Sequence, residues 1–280
     1  MAPFLDDGLE RNGDILRPAP GCLVCGGQLL PRWRNPTEFN IYDCARCGVG
    51  RTWPPPAEAN GEEIFAESDE HYERQFSQHR ELWRTFGGAL LEQIPRSRRT
   101  GRLLDVGAGV GLLVELANER GATALGIDRA PAAGRVARRH GIDVRTIELV
   151  DLTEGDFDVI VMMHALEHVH DPVSFVRHAA VRLRKGGLVL INVPISDGLM
   201  PLLLGRRWYG YQHSQHVHQF TRRGLREIAR RAGLQPLTVT SESLHYTHRN
   251  ILTRNALVAA ATIGRTLRRG DQSTLVATLD

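Results

Sequence analysis

The sequence predicts an α/β fold with a doubly wound parallel sheet, preceded by a small N-terminal module. Three observations predict it. From residue 101 onward, short apolar runs alternate with amphipathic helical segments, and strands alternating with helices make a parallel sheet covered on both faces. The first apolar run, residues 103–106, ends in a glycine-rich turn, Gly107-Ala108-Gly109-Val110-Gly111. All four cysteines lie in the first fifth of the chain, as two Cys-x-x-Cys pairs.

Residues 1–20 read as a loose tail. Residues 21–60 form the N-terminal module. Its pairs, Cys22/Cys25 and Cys44/Cys47, are separated by 18 residues, and this spacing reads as a tetrahedral zinc site rather than a disulfide framework. Each Cys-x-x-Cys turn sets two thiolates a few ångströms apart, and Gly26 and Gly48 follow where a tight turn favours glycine. Four protein ligands leave no open coordination position, so the expected role of the zinc ion is structural. FNIYDC reads as a strand entering the second pair, and the prolines at 54–56 close the module. Residues 61–100 are polar with scattered aromatics, including Tyr72, Phe76 and Trp83. They read as one or two amphipathic helices forming a linker or lid.

The strands that follow are RLLDVG, ATALGID, IDVRTI, FDVIVMM and LVLINVP. Between them, LLVELANERG, PAAGRVARRHG and PVSFVRHAAVRLRKGG have helical periodicity and end in glycine. The sheet domain is expected over 101–245, with an insert at 196–220 covering the substrate and a C-terminal helix in 246–280.

The totals narrow the classes. Across 280 residues the net charge is +3 with both signs interspersed, and the one basic run, RSRR at 96–99, is no concentrated nucleic-acid patch. The apolar stretches are too short to span a bilayer. The acidic N-terminus lacks an apolar core, so a cytoplasmic protein is the expectation.

Ligands of such sheets sit at the carboxyl ends of the strands. The glycine turn lies there, and Asp128 ends the second strand, where a carboxylate accepts hydrogen bonds from ribose hydroxyls. Yet Asp105 precedes the glycines by two positions. A carboxylate there repels a pyrophosphate and suits a cation or an ammonium group, so a cofactor with an amino-acid end fits better.

DVGAGVG, GID, FDVIVMMHALEHVHDP, LRKGGLVLINVP and HVHQFTRRGLREIARRAGL resemble, in order, the motifs of class I S-adenosylmethionine-dependent methyltransferases. The resemblance covers about residues 101–240 and implies a Rossmann-like sheet and that cofactor. It implies that Asp105, Gly107, Ala108, Gly109 and Gly111 hold the methionine end and that Asp128, with Arg129, holds the ribose. Glu148 and Leu149 are placed near adenine, and Met163 and His164 at the end of the fourth strand.

Transfer to oxygen or carbon needs a base, and histidine titrates near neutral pH. Two segments supply candidates: His164 and His168 in the first, His216 in the second, with His216 the best single choice. Beside it, Trp208, Tyr209, Tyr211 and His213 are candidate acceptor contacts. A zinc ribbon ahead of such a domain is similar to sugar C-methyltransferases. Those carry a Tyr-His-Glu-His segment, of which this chain keeps only His216 and the aromatic Phe220; Ser214 and Gln215 replace the preceding histidine and glutamate. The expected acceptor is a small molecule, such as a nucleotide sugar, glycan precursor or natural product, methylated at carbon or oxygen. An RNA guanine methyltransferase and a catalytically silent zinc-ribbon interaction protein are the alternatives. A cysteine nucleophile for ring methylation of cytosine is lacking outside the two pairs.

Overall fold

The computed structural model describes residues 21–33, 40–56, 68–95, 101–211, 215–243 and 251–280. The sheet domain begins with β4 (Arg102–Val106), β5 (Thr123–Asp128), β6 (Val144–Thr146), β7 (Phe157–Met163) and β8 (Leu183–Pro194). These five strands are parallel. Two more, β10 (Gln235–Val239) and β11 (Gln272–Thr278), complete the order β10-β11-β8-β7-β4-β5-β6. β11 runs antiparallel between β8 and β10. The chain starts in the middle, at β4, builds outward through β5 and β6, then crosses back to β7. The switch in strand order therefore falls between β4 and β7.

The central strands are apolar on both faces. Leu103, Leu104, Ile160, Val161, Met162, Val189, Leu190 and Ile191 are fully buried, as expected of a sheet covered on both sides. The helices α2 (Leu112–Glu119), α3 (Pro131–Arg139), α4 (Pro172–Ala180) and α6 (Arg222–Arg231) supply the cover. Helix α4 stops nine residues into the stretch read as one long helix. Its start is set by Asp171, whose carboxylate accepts from the N–H groups of Val173 and Ser174. Beyond it, the Arg182 guanidinium donates to the carbonyls of Leu152 and His178, and β8 begins at Leu183.

Among the described residues, helix α1 (Asp69–Leu91) is the single helix of the predicted linker. It lies on α2 and α3. Arg135 and Arg139 bind Asp69, Arg139 and His140 bind Glu73, and Arg84 reaches Glu115 and Glu119. Exposed pairs of this kind contribute about 0.2–1 kcal/mol each. Burial of an apolar side chain contributes about 1.5–3 kcal/mol. Tyr72, Phe76, Leu90 and Leu91, all buried, therefore hold the helix, and the ion pairs set its position.

The N-terminal module is an antiparallel sheet of β1 (Leu29–Trp33), β2 (Asn40–Cys44) and β3 (Gly50–Trp53). Its fourth strand, β9 (His218–Gln219), comes from the sheet domain and pairs with β3. The module is thus closed by residues far along the chain, beyond the predicted 21–60 boundary.

The C-terminal expectation is corrected. Helix α7 (Ile251–Thr266) is present, but the chain then returns as β11, every residue of which is buried. Its Ser and Thr residues masked the apolar pattern; the Thr274 hydroxyl donates to Glu242 Oε1 at 2.9 Å and that of Thr278 to Gly187 O at 3.0 Å.

Gly111 shows how tightly the glycine turn is packed. It caps α2 at φ +78°, and a Cβ there would lie 2.6 Å from Ile142 Cγ2 and 2.8 Å from Val144 Cγ2. Gly111→Ala therefore combines left-handed strain with overpacking, and we expect a loss of about 2 kcal/mol. Urea denaturation measures it; an unchanged midpoint would contradict this packing.

Candidate active site

A cavity of about 720 Å³ opens at the carboxyl ends of the parallel strands. The turn from β4 into α2 forms one part of its wall, through Asp105, Gly107, Ala108 and Gly109. Gly109 stands at φ +53°, and a Cβ built on it would meet nothing within 4 Å. The backbone is exposed to the cavity there, and a ligand can lie directly against it. Asp128, at the end of β5, ties this turn down: its carboxylate accepts from Gly109 N at 2.7 Å and Ala130 N at 2.8 Å.

The two carboxylates are electrostatically distinct. Asp105 is buried, and desolvation together with the nearby charge of Asp128 pushes its pKa up to about 7. Burial also raises Asp128, against the pull of its backbone hydrogen bonds from Ala130 and Gly109. A cationic ligand group would relieve both. Arg129 and Glu148, paired at 3.3 Å, and Leu149 also line the cavity.

The segment after β7 forms the next part. Met163, His164, Ala165, His168, Val169 and His170 all line the cavity. His164 has a left-handed backbone, φ +54°, uncommon for a side chain of this kind. Its Nδ1 lies 3.1 Å from Glu167 Oε1, and its Nε2 lies 2.8 Å from the amide nitrogen of Gln272 on β11. An amide nitrogen only donates, so Nε2 carries the lone pair and Nδ1–H donates to Glu167. Glu167 is 1% exposed. Burial raises its pKa, but the His164 hydrogen bond and the neighbouring histidines outweigh this and hold it at about 2. It is therefore an ionised carboxylate that orients His164.

Helix α1 adds Tyr72, Gln75 and Trp83, and the segment before β9 adds Gln215. Trp83 meets the His164 ring edge-on at 6.2 Å. Glu167, Gln272, Tyr72, Gln75 and Trp83 were not singled out as site residues from the sequence. Glu167 stands next to His168 in HALEHVH, which was a usable signal. Gln272 had none, because β11 itself was missed.

Several expected site residues lie elsewhere. Gly111 is behind the turn, under Ile142 and Val144. The insert at 196–220 does not cover the cavity with its aromatics. Trp208 and Tyr211 are buried with Ile41, Met200 and Ala261, and Tyr209 packs against the same cluster. They join the N-terminal module to α5 (Leu199–Leu204) and α7. The Tyr211 hydroxyl accepts from Arg32 Nη1 at 2.5 Å. Apolar ring area outweighed the expectation of stacking on a ligand. His213 lies outside the described residues. His216 is 5% exposed and off the cavity wall. Its Nδ1 donates to Gly210 O at 3.1 Å, and burial pushes its pKa down to about 4. His216 thus stands behind the cavity wall, whereas His164 lines the cavity and takes its place as the candidate base.

The four cysteines come together. Cys22 Sγ lies 3.5 Å from Cys47 Sγ, and Cys25 Sγ lies 3.4 Å from Cys44 Sγ. All four sulfurs lie within 4.8 Å of one another and are buried. Sulfur–sulfur edges in a zinc tetrahedron with 2.3 Å bonds are about 3.8 Å, far longer than a disulfide, so the thiols fit a zinc ion.

A family model described as a methyltransferase domain matches residues 74–239. The chain belongs to that family. A ubiquinone biosynthesis O-methyltransferase of Bordetella avium is 31% identical over 166 residues, which are 52% of this chain and 67% of the relative. One from Alkalilimnicola ehrlichii is 44% identical over 101 residues, covering 32% of this chain and 40% of the relative. The methyltransferase thus shares with such relatives between two fifths and two thirds of their length. Among solved structures, an S-adenosylmethionine-dependent methyltransferase of Archaeoglobus fulgidus superposes with TM-score 0.55 at 17% identity, over 76% of this chain and all of its own. The 1,6-didemethyltoxoflavin-N1-methyltransferase of Burkholderia thailandensis does so with TM-score 0.52 at 18% identity, over 90% and 100%. These likenesses establish the fold, that of class I S-adenosylmethionine-dependent methyltransferases. No described helix of this methyltransferase is long and apolar enough to cross a membrane.

The raised pKa of Asp105 has two consequences. Its folded pKa of about 7 exceeds the unfolded value near 3.8. The native state binds the extra proton between those values, so this group's contribution to stability falls as pH rises from about 4 to 7 and is then constant. A ligand that places an ammonium or sulfonium beside Asp105 favours the carboxylate and releases a proton on binding at pH 6–7. Calorimetric titration with S-adenosylhomocysteine in buffers of different ionisation enthalpy should show that release, and Asp105→Asn should abolish it. Equal heats in all buffers would place the charged end elsewhere.

Proposed function

We propose that this methyltransferase transfers the methyl group of S-adenosylmethionine to a hydroxyl oxygen of a small-molecule acceptor, with His164 as the base. The Glu167–His164 pair carries the reading. It fixes the tautomer of a residue lining the same cavity as Gly109, Asp105 and Asp128, with the lone pair on Nε2, where the Gln272 amide donates to it. The relatives' name, O-methyltransferase, supports oxygen as the acceptor atom. Carbon methylation is less well supported, because the histidine matching the C-methyltransferase segment, His216, is away from the cavity. The acceptor class remains that expected from the sequence, a hydroxylated sugar, glycan precursor or natural product. The relatives' name adds aromatic quinone precursors.

S-adenosylmethionine supplies an electrophilic methyl on a sulfonium. Asp105 and the Gly107–Gly109 turn would receive its amino-acid end, Asp128 its ribose, and Glu148 and Leu149 its base. Trp83, Tyr72 and Gln75 would close the cavity on the acceptor and exclude water. The acceptor's hydroxyl would take the place of the Gln272 amide at His164 Nε2, which accepts its proton as the oxygen attacks, and Glu167 stabilises the imidazolium that results. The cysteines hold zinc in a closed shell, with a structural role.

S-adenosylhomocysteine should bind one-to-one. His164→Gln should leave that affinity within about twofold while lowering turnover by about 100-fold or more, the range for loss of a general base. Turnover assayed on catechols and sugar hydroxyls tests this; a fully active variant would remove His164 from the mechanism.

A further inference from the structure

We infer that Glu167, His168 and His216 form a second metal site, distinct from the four cysteines, which binds a first-row divalent cation beside the acceptor end of the cavity. One ligand atom from each residue lies within 4.8 Å of the other two. The two imidazole rings are 4.9 Å apart.

Three features make this more than proximity. First, both histidines have their Nδ1 committed to backbone carbonyls: His168 to Gln215 O at 3.0 Å and His216 to Gly210 O at 3.1 Å. A carbonyl only accepts, so Nδ1 carries the proton in each neutral ring and Nε2 is left as a bare lone pair. Metal-ligating histidines are oriented in this way, by donation from the other nitrogen. Second, Glu167 uses Oε1 for His164, whereas its Oε2 is buried with no hydrogen-bond partner. A buried carboxylate oxygen without a donor is costly, and a cation would satisfy it. Third, the site is built from rigid parts. Glu167 O accepts from Val217 N at 2.8 Å, and the His216 carbonyl accepts from Thr52 Oγ1 at 2.7 Å. The N-terminal module therefore braces the segment carrying His216.

Two histidines and one carboxylate leave open positions on a divalent ion such as Zn²⁺, Fe²⁺ or Mn²⁺. Of the three, His168 lines the cavity, so the site adjoins the cavity through that residue. The ion's part in turnover rests on the methyl-transfer reading; its binding does not. Bound to the ion, the acceptor's hydroxyl oxygen loses its proton more readily. The proton passes to His164, an oxygen lone pair forms the new O–CH₃ bond, and the donor sulfur departs with the S–CH₃ electrons.

The test is equilibrium dialysis of the full-length, zinc-loaded protein against cobalt chloride, with elemental analysis and absorption spectra. The wild type should take up one ion per chain beyond that of the cysteines. Its spectrum should show weak d–d bands of nitrogen and oxygen ligation without new thiolate charge transfer. Glu167→Gln and His216→Ala should each weaken this uptake by about tenfold or more, with cysteine-bound zinc and S-adenosylhomocysteine affinity unchanged. No uptake by the wild type at millimolar cobalt overturns the site whatever the variants do, as does equal uptake by both folded variants. Cobalt uptake by a protein that fails to bind S-adenosylhomocysteine supports the site and removes only its role in methyl transfer.

Discussion

Parallel strands all end at one edge of a sheet, and that constraint governs this molecule. Each crossover must return to the opposite edge, so the segments leaving β4, β5, β7 and β8 meet at the carboxyl ends. Because the chain builds outward from β4 and then reverses to β7, the segments after β4 and β7 separate to opposite faces and leave a crevice between them. Asp105, the glycine turn and His164 border that crevice for this reason. The position of the cavity follows from strand order; the glycine turn, the segment after β7 and helix α1 supply its walls.

Behind the crevice wall, one buried carboxylate orients its neighbours. Glu167 is ionised and almost inaccessible. A charge in that position persists only if surrounding groups compensate it. His164 does so by a direct hydrogen bond, and His168 and His216 stand close by. Its main chain receives Val217 N, which links the segment after β7 to the strand that closes the N-terminal module. The module and that wall of the cavity are thereby one construction. The β3–β9 pairing, the Thr52 bond to His216 O and the His218 bonds to Gly50 O and His170 O all cross the same seam. The four-cysteine module is best understood as a buttress for one wall of the cavity.

The parts of the site legible in the sequence were those made by a local turn. The glycine turn, Asp105 and Asp128 fall at or near the ends of apolar strands, which periodicity marks; Glu148, Leu149, Met163 and His164 were pointed to by the family resemblance. The histidine and aromatic segment at 208–220 misled for a physical reason. Histidine, tryptophan and tyrosine have equally good uses as buried packing residues and as ligand contacts, and composition does not distinguish them. Trp208 and Tyr211 are taken up by the junction between module and helices, and His216 by backbone hydrogen bonding. Glu167 went unnoticed because a lone glutamate is ordinarily solvent-exposed, and its burial is a property of the packed fold.

By itself the sequence determined the alternation of strands and helices, the position of the glycine turn, and the two thiol pairs, since each depends on neighbours within a few residues. Tertiary structure decided the rest. It placed a final strand between β8 and β10, lent β9 to the N-terminal module, withdrew His216 from the cavity and brought Gln272 to His164 across more than 100 residues of chain. Those outcomes turn on which backbone edges remain unpaired and which polar atoms must be satisfied once the core has closed. Local pattern carries no record of either.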